Sequence, residues 1–154
     1  MPSKTALLLT NLGTPDSLDR NAVKRFLREF LSDPLVVRLP RLLWLPLLYG
    51  IILPLRSGKT LQAYSRVWGE QGSPLLAIAR QQQVGLQTLL GERAEVLLAM
   101  RYGNPDFATQ LKALQAEGVE KLVVLPLYPQ YSVTTTATTY KHLKSLMNQS
   151  GYTP

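Results

Sequence analysis

The stretch that decides the fold is residues 121–136, KLVVLPLYPQYSVTTT. Residues 121–127 form an apolar run that does not alternate, which is typical of a parallel strand buried on both faces. The proline-bracketed aromatics Tyr128 and Tyr131 follow this run, and hydroxyl side chains come next. Ligands of open α/β sheets bind beyond the carboxyl ends of strands, so the stretch predicts a strand that delivers aromatic and hydrogen-bonding groups to a site.

Two other apolar runs, residues 5–10 and 95–100, predict further strands of the same sheet. Helical spacing and capping signals between the runs predict helices over residues 23–31, 60–68, 75–90, 106–117 and 138–148. Asp16 or Ser17 is the expected cap of the first of these helices, and Asn104 is the expected cap of the helix over 106–117. Alternating strands and helices predict a parallel sheet covered by helices, an α/β fold.

The segment from Leu35 to Leu55 is apolar but contains Pro40, Pro46 and Pro54, so it predicts only short helical pieces. Its uncharged core, residues 42–55, is shorter than the ~20 apolar residues that a membrane-spanning helix needs. The segment is therefore not expected to span a bilayer. An exposed surface of this composition is a liability unless it is buried or faces lipid or an apolar ligand.

The composition narrows the class of protein. The chain has 154 residues, 45% hydrophobic and 18% charged, which indicates one packed domain rather than disorder. The net charge of +7 suits an anionic partner or a basic, solvated surface. Five basic residues form no continuous run, which favours solvated faces over a nucleic-acid stripe: Lys24, Arg25, Arg28, Arg38 and Arg41. Without cysteine, the chain has no disulfide, thiolate metal site or cysteine nucleophile.

Three loops follow the predicted strands: residues 11–14, 101–104 and 128–136. Parallel strands share a direction, so we expect these loops at one edge of the sheet. The side chains that they offer are Asn11, Leu12, Arg101, Tyr102, Gln130, Tyr131 and Ser132. Stacking aromatics, an arginine and hydroxyls suit a large, flat, partly apolar ligand with an anionic edge. Polar strand ends are also ordinary in α/β domains, and spacing alone leaves both interpretations open.

The sequence lacks the motifs of several common phosphate-binding, hydrolase and metal sites. The sequence has no Walker loop, no G-x-G-x-x-G after a strand, no G-x-S-x-G elbow and no metal-ligand cluster. His142 is the only histidine, the side chain best suited to act as a base near neutral pH. It lies on the predicted helix over 138–148, where a solvated surface histidine is favoured over a base or a ligand.

Four segments together resemble bacterial ferrochelatases, the enzymes that insert ferrous iron into protoporphyrin IX to make haem. The segments are LLTNLGTP (8–15), FLSDPLVV (30–37) with the 42–56 stretch behind it, GSPL (72–75) and LPLYPQYS (125–132). RYGNP (101–105) also fits. The similarity covers nearly the whole chain in order, and LPLYPQYS is a highly specific motif.

The resemblance implies two similar Rossmann-like domains with a porphyrin cleft between them. Residues 1–154 would be the N-terminal domain, and the second domain would be absent from this chain. The segment from Leu35 to Leu55 would lie at the mouth of the cleft and contact the membrane peripherally. The resemblance places six residues at or near the porphyrin: Leu12, Arg56, Ser73, Tyr102, Tyr131 and Ser132.

The resemblance also implies a role for each of these positions. Leu12 would press on the macrocycle, and Arg56 would meet a propionate. Tyr102 and Ser132 would form a polar wall. Scaffold roles stay open, with Leu12 as core and Ser73 as a helix cap. Alanine at Tyr131 and at Tyr102 is expected to weaken porphyrin binding without unfolding the domain.

Iron insertion also needs a base that takes the pyrrole protons. The family's catalytic histidine and its partner glutamate lie in segments absent here, and His142 does not match that histidine. No catalytic residue is therefore assigned, and this chain alone is expected to be inactive. Val133 stands where some relatives carry a cysteine ligand, so no iron–sulfur ligand is expected. Protoporphyrin IX and Fe2+ would be substrates, and no cofactor is assigned.

The sequence therefore predicts the Rossmann-like, porphyrin-binding part of a cytoplasmic or peripheral-membrane ferrochelatase, a lyase of haem biosynthesis. Two alternatives stay open: a catalytically silent tetrapyrrole-binding module, and a generic basic α/β domain that binds an anionic partner. No nucleic-acid partner is expected. A homodimer through an uncovered sheet edge or helix face also stays open.

Overall fold

An open sheet of three parallel strands, flanked by helices, is the framework of residues 4–154, the part of the chain that the computed structural model describes. The strands are β1 (Thr5–Gly13), β2 (Glu95–Tyr102) and β3 (Lys121–Pro126), in the order β2-β1-β3. The register of β1 with β3 runs from Thr5 opposite Lys121 to Thr10 opposite Pro126. The predicted α/β class is confirmed.

The central strand β1 is longer than its apolar run. Ala6, Leu8 and Leu9 are fully buried, as expected for a strand covered on both faces. The strand continues through Asn11 and Leu12 to its end at Gly13, where a turn is predicted. The end of a strand depends on its backbone conformation and pairing. The polar side chain of Asn11 ends the apolar run in the sequence, although the strand itself continues.

The six α-helices described within residues 4–154 confirm the predicted alternation. They are α1 (Arg20–Ser32), α2 (Arg41–Leu47), α3 (Leu53–Ser65), α4 (Pro74–Leu90), α5 (Phe107–Ala116) and α6 (Thr138–Ser150). Short helical turns also occur at Leu48–Ile52, Gly91–Arg93 and Val133–Ala137. Helices α4 and α6 end directly before Gly91 and Gly151, which adopt positive φ angles that favour glycine.

Helix α1 is capped by a residue other than the two predicted ones. Asp19 accepts hydrogen bonds from the backbone N–H groups of Asn21 and Ala22 at 2.8 and 2.9 Å. The prediction of Asp16 or Ser17 as the cap is therefore wrong. Asp16 instead accepts a hydrogen bond from the Nδ2 of Asn104 at 2.9 Å, within the turn that precedes the helix.

Helix α5 also has a different cap from the predicted Asn104. Asp106 caps it and accepts a hydrogen bond from the backbone N–H of Thr109 at 2.9 Å. The carbonyl of Pro105 accepts from the N–H of Met100 at 2.7 Å. This bond keeps Pro105 beside β2, so the helix begins after it, at Phe107.

The proline-containing segment is more regular than predicted. Helix α2, the π-helical turn Leu48–Ile52 and α3 follow one another without a break from Arg41 to Ser65. Pro54 lies at the start of α3, directly after the π-helical turn, where the N–H of Leu53 bonds to the carbonyl of Leu48 and the regular α-helical bonding pattern is already interrupted. Pro46 lies inside α2 and removes only one bond of that short helix. Prolines at these two positions are therefore compatible with helix.

Two compact units make up the described chain. The sheet unit comprises the chain up to Leu12, Ile78–Arg101 and Pro105–Pro154. Its core gathers β1, β2, α5 and α6 around these buried residues: Ala6, Leu8, Leu97, Ala99, Phe107, Leu111, Leu114, Val119 and Leu143. The helical unit comprises Gly13–Ala77 and Tyr102–Asn104. Within it, the buried indole of Trp44 donates to the carbonyl of Leu31 at 2.8 Å.

A buried hydroxyl in the sheet unit gives a first testable prediction. Thr10 is fully buried, and its Oγ1 has no hydrogen-bond partner among the described residues. Thr10→Val should raise the free energy of unfolding by ~1 kcal/mol, because it removes a desolvated, unsatisfied polar group without changing shape. Urea denaturation followed by circular dichroism measures the change.

Thr139 is the matched control for this prediction. It is equally buried, but its Oγ1 donates to the carbonyl of Thr135 at 2.9 Å. Thr139→Val should therefore lower the free energy of unfolding by ~1 kcal/mol. Equal destabilisation by Thr10→Val and Thr139→Val would show that the Thr10 hydroxyl is satisfied in solution.

Candidate functional site

The ends of β1 and β3 lie at one edge of the sheet, as the sequence predicts. Thr10 is opposite Pro126, and the N–H of Leu127 donates to the carbonyl of Thr10 at 2.8 Å. Asn11 and Leu12 therefore follow on the same edge as the loop after β3. The Oδ1 of Asn11 accepts from the N–H of Leu12 at 2.8 Å, and the side chain of Leu12 is half-buried.

The loop after β3 carries one exposed and one packed tyrosine. Tyr131 is 70% exposed, so its ring is available to a flat ligand. The hydroxyl of Tyr128 lies 3.5 Å from the Oγ1 of Thr139, and burial raises the pKa of this phenol. Tyr131 is therefore the aromatic group that this loop offers for stacking.

Ser132 has a structural task in the same loop. Its Oγ accepts from the backbone N–H of Thr134 at 3.2 Å and so caps the helical turn Val133–Ala137 ahead of α6. The Oγ1 of Thr134 lies 3.0 Å from the same oxygen. A hydroxyl can still donate while it accepts, so Ser132 keeps a capacity for ligand contact.

Arg101, near the end of β2, is positioned by the first residue of α6. Its Nε donates to the Oγ1 of Thr138 at 2.8 Å, and Thr138 is buried. This contact fixes the direction of a half-buried guanidinium that suits carboxylate pairing. The partner Thr138 was missed from the sequence, since a threonine in a hydroxyl run gives no signal of a bond to a strand 37 residues away.

In the helical unit, Tyr102 is buried rather than exposed. It is 2% exposed, and its hydroxyl donates to the Oδ2 of Asp33 at 2.9 Å. Its ring meets Phe30 edge-on, with ring centroids 5.3 Å apart. Asp33 also accepts from the N–H of Leu35 at 2.8 Å. No sequence pattern marks Asp33 as the partner of Tyr102, so this role is a finding of the structure.

Arg56 and Ser73 differ in their exposure. Arg56 lies exposed on α3. Ser73 is buried directly before α4, and its carbonyl accepts from the N–H of Ala77 at 3.0 Å. Pro74 is the first residue of the helix. Among the six predicted site residues, the sheet unit thus holds Leu12, Tyr131 and Ser132, and the helical unit holds Arg56, Ser73 and Tyr102.

His142 is packed rather than fully solvated. The residue is half-buried on α6, and its ring meets Phe107 edge-on with centroids 5.8 Å apart. The prediction of a solvated surface histidine is therefore wrong, because the aromatic ring of α5 covers part of the imidazole. Within residues 4–154, no group of three or more histidine, cysteine, aspartate or glutamate side chains is placed to hold a metal ion.

Comparison with known proteins identifies the family. The ferrochelatase family model matches residues 4–154. The chain is 47% identical to "Ferrochelatase 2" of Shewanella oneidensis over 154 residues, 98% of this chain and 47% of that protein. It is 52% identical to the ferrochelatase of Aeromonas hydrophila over 143 residues, 91% of this chain and 44% of that protein.

A third relative shows the same pattern. The ferrochelatase of Alcanivorax borkumensis is 51% identical over 143 residues, 90% of this chain and 42% of that protein. The chain thus spans about half the length of the curated relatives that it matches. Because the family model covers all of the residues that the structure describes, the chain belongs to the ferrochelatase family.

Proposed function

We propose that this chain is the porphyrin-binding part of an enzyme that inserts ferrous iron into protoporphyrin IX, in haem biosynthesis. The observation that carries this function is the match of the ferrochelatase family to residues 4–154. The geometry supports a binding role: the exposed ring of Tyr131 and the half-buried Leu12 occupy neighbouring strand ends of the sheet unit. Flat macrocycles are held by such apolar and aromatic contacts.

Binding energy on the rest of the ring is the proposed source of the distortion that iron insertion needs. Tyr131 and Leu12 would hold the macrocycle, and Ser132 would contact it through its hydroxyl. Exposed Arg56 would pair with a propionate. Ser73 and Tyr102 are buried, so we propose that they act as scaffold within the helical unit.

Proton removal is the step that we assign to residues outside this chain. Two pyrrole N–H protons must leave as Fe2+ binds the ring nitrogens, and a base must accept them. His142, the only histidine here, is packed against Phe107. The relatives are about twice as long as this chain, which supports a second Rossmann-like domain in the parent protein that carries the base.

The apolar segment of the helical unit is a candidate for membrane contact. Leu42 and Leu43 are 90% and 73% exposed, which is unusual for leucine on a monomer surface. In residues 4–154, no helix combines the length and apolarity needed to cross a bilayer. We therefore propose that the segment from Leu35 to Leu55 contacts the membrane at its surface, where an apolar porphyrin would be collected.

Fluorescence titration of the purified chain with protoporphyrin IX tests the porphyrin site. Tyr131→Ala should weaken binding about tenfold, because it removes an exposed stacking surface. Tyr140→Ala, which removes a 45% exposed tyrosine on α6, is the matched control and should bind as the unaltered chain does. Equal affinity of the two variants would contradict the role of Tyr131.

Addition of Fe2+ to the bound porphyrin, without oxygen, tests the proposal that this chain binds the porphyrin but does not carry the base. We expect the chain to bind the porphyrin saturably but not to insert the metal. The absorbance spectrum of the porphyrin monitors metal insertion. Insertion would show that the base lies within these residues. No saturable binding would contradict a porphyrin wall formed by this chain.

A further inference from the structure

A cationic cleft in the helical unit has no part in the porphyrin site proposed above. It encloses about 300 Å³ and lies among Asn21, Lys24, Arg25, Arg28, Tyr49 and Leu53. The first four residues belong to α1, and the other two belong to the segment Leu48–Ile52 and to α3. The cleft therefore has a basic wall on one helix and an aromatic, apolar wall on the next.

The cations of the cleft share one face of α1. Positions 21, 24, 25 and 28 are spaced by three or four residues, so their side chains form a single stripe. Opposite this stripe, Tyr49 is 50% exposed and Leu53 is fully buried. A group that enters the cleft would meet positive charge on one side and an aromatic ring on the other.

This charge is poorly neutralised by the protein itself. Lys24 and Arg28 are exposed, lie one turn apart and form no ion pair with any residue in 4–154. Arg25 reaches Asp16 at 3.7 Å, a contact that solvent weakens. Glu29, the acid next to Arg28, accepts from the N–H of Gly103 at 3.0 Å. Like charges at this spacing disfavour a helix, and a bound anion would remove the repulsion.

The surroundings of the cleft select the kind of anion. Tyr49 lines the cleft and also belongs to the exposed apolar run, where Leu47 and Ile51 are 41% and 53% exposed. A phospholipid combines a phosphate with apolar chains, so it matches the cations and the run together. Free phosphate would match the cations alone.

We propose that the cleft binds the phosphate of an anionic phospholipid in a bilayer. This inference rests on the proposed membrane contact and names the lipid class and the side chains that recognise it. Lys24 and Arg28 donate to the phosphate, and the Tyr49 ring lies at the level of the headgroups. The site orients the helical unit on the membrane, which apolar contact alone does not do.

Vesicle co-sedimentation of the full chain tests the proposal, with phosphatidylcholine vesicles and with vesicles that also contain phosphatidylglycerol. The double variant Lys24→Gln, Arg28→Gln should lose affinity for the anionic vesicles about tenfold or more and keep its affinity for the neutral ones. Lys141→Gln, Lys144→Gln removes equal charge from exposed positions on α6 and should lose less than about threefold. Circular dichroism confirms that both variants are folded.

Other outcomes separate the cleft from the membrane contact. Equal losses of affinity for the anionic vesicles in the two charge variants would overturn the phosphate site in the cleft. They would indicate diffuse electrostatic attraction instead. Binding of inorganic phosphate to the cleft by NMR, with no difference between variants on vesicles, would overturn the phospholipid in favour of free phosphate. Leu42→Ser, Leu43→Ser should weaken binding to both vesicle types. If binding is unchanged, the proposed apolar contact is contradicted. A selective loss of affinity for anionic vesicles in the Lys24, Arg28 variant would still support the phosphate site in the cleft.

Discussion

Gly13→Ala is expected to lower the free energy of unfolding by ~4 kcal/mol or more, enough to prevent the chain from folding stably. Gly13 ends β1 with a φ of +110°, a conformation that side chains with a Cβ rarely adopt. A Cβ at this position would lie 1.8 Å from the carbonyl oxygen of Tyr102. The neighbour is backbone, which cannot swing aside as a flexible side chain would.

Two other glycines separate the causes of this effect. Gly72 has a φ of +90°, but the nearest atom to an added Cβ is 3.9 Å away, so Gly72→Ala reports backbone strain without the clash. We expect it to cost ~1–3 kcal/mol. Gly85 lies inside α4 with nothing within 4 Å, so Gly85→Ala should stabilise the chain by ~1 kcal/mol.

Urea denaturation of the three glycine variants gives the comparison. A Gly13→Ala chain no less stable than Gly72→Ala would refute the close approach of the two strand ends. The result matters for the site, because Gly13 directly follows Leu12. A shift of the backbone at Gly13 would move Leu12, which is proposed to hold the macrocycle.

Tyr102→Ala is expected to cost ~3–5 kcal/mol, the second largest effect, because the ring is almost fully buried against Phe30. The sequence-based expectation that alanine here spares the fold is therefore corrected by the packing. Tyr102→Phe keeps the ring and removes the hydroxyl that donates to Asp33. Hydrogen bonds to charged groups contribute ~1.5–3 kcal/mol, so this variant should lose that amount.

Tyr131→Phe is the matched control, since it removes a hydroxyl from a 70% exposed ring and should change stability by less than ~0.5 kcal/mol. Urea denaturation distinguishes the three tyrosine variants. If Tyr102→Phe matched Tyr131→Phe in stability, the bond to Asp33 would contribute nothing in solution. Porphyrin titrations should accordingly use the phenylalanine variant at position 102, because the alanine variant confounds binding with folding.

The strands and their alternation with helices were predictable because each strand contains an uninterrupted apolar run. Burial on both faces accounts for the run in β1 but not for the one in β3, where Val123 and Leu125 are 44% exposed, so the prediction that β3 is buried on both faces is wrong. The residues at which the helices begin and end were less predictable. Asp16, Ser17 and Asp19 are all competent caps, and only the fold selects Asp19. The proline-containing segment was underestimated because the cost of a proline depends on its place in the helix, which composition does not report.

The candidate site was likewise predictable from the sequence only in part. Tyr102 and Tyr131 both follow predicted strands, yet one is buried and the other exposed. The difference comes from Asp33 and Phe30, which lie far from Tyr102 in sequence and share no periodic pattern with it. Specific motifs revealed the family, but the burial of each motif residue depends on tertiary contacts.

The position of β1 also governs how the chain is made. β1 is synthesised before β2 and β3, but it is the middle strand of the three, and Thr5 pairs with Lys121. At ordinary rates of translation the apolar strand waits on the order of ten seconds for its neighbours, exposed to aggregation and to chaperones. The residues from Gly13 to Ala77 lie in one continuous stretch and can collapse during that wait. Synthesis from the N-terminus therefore favours an order of assembly in which the helices of Gly13–Ala77 form before the sheet closes.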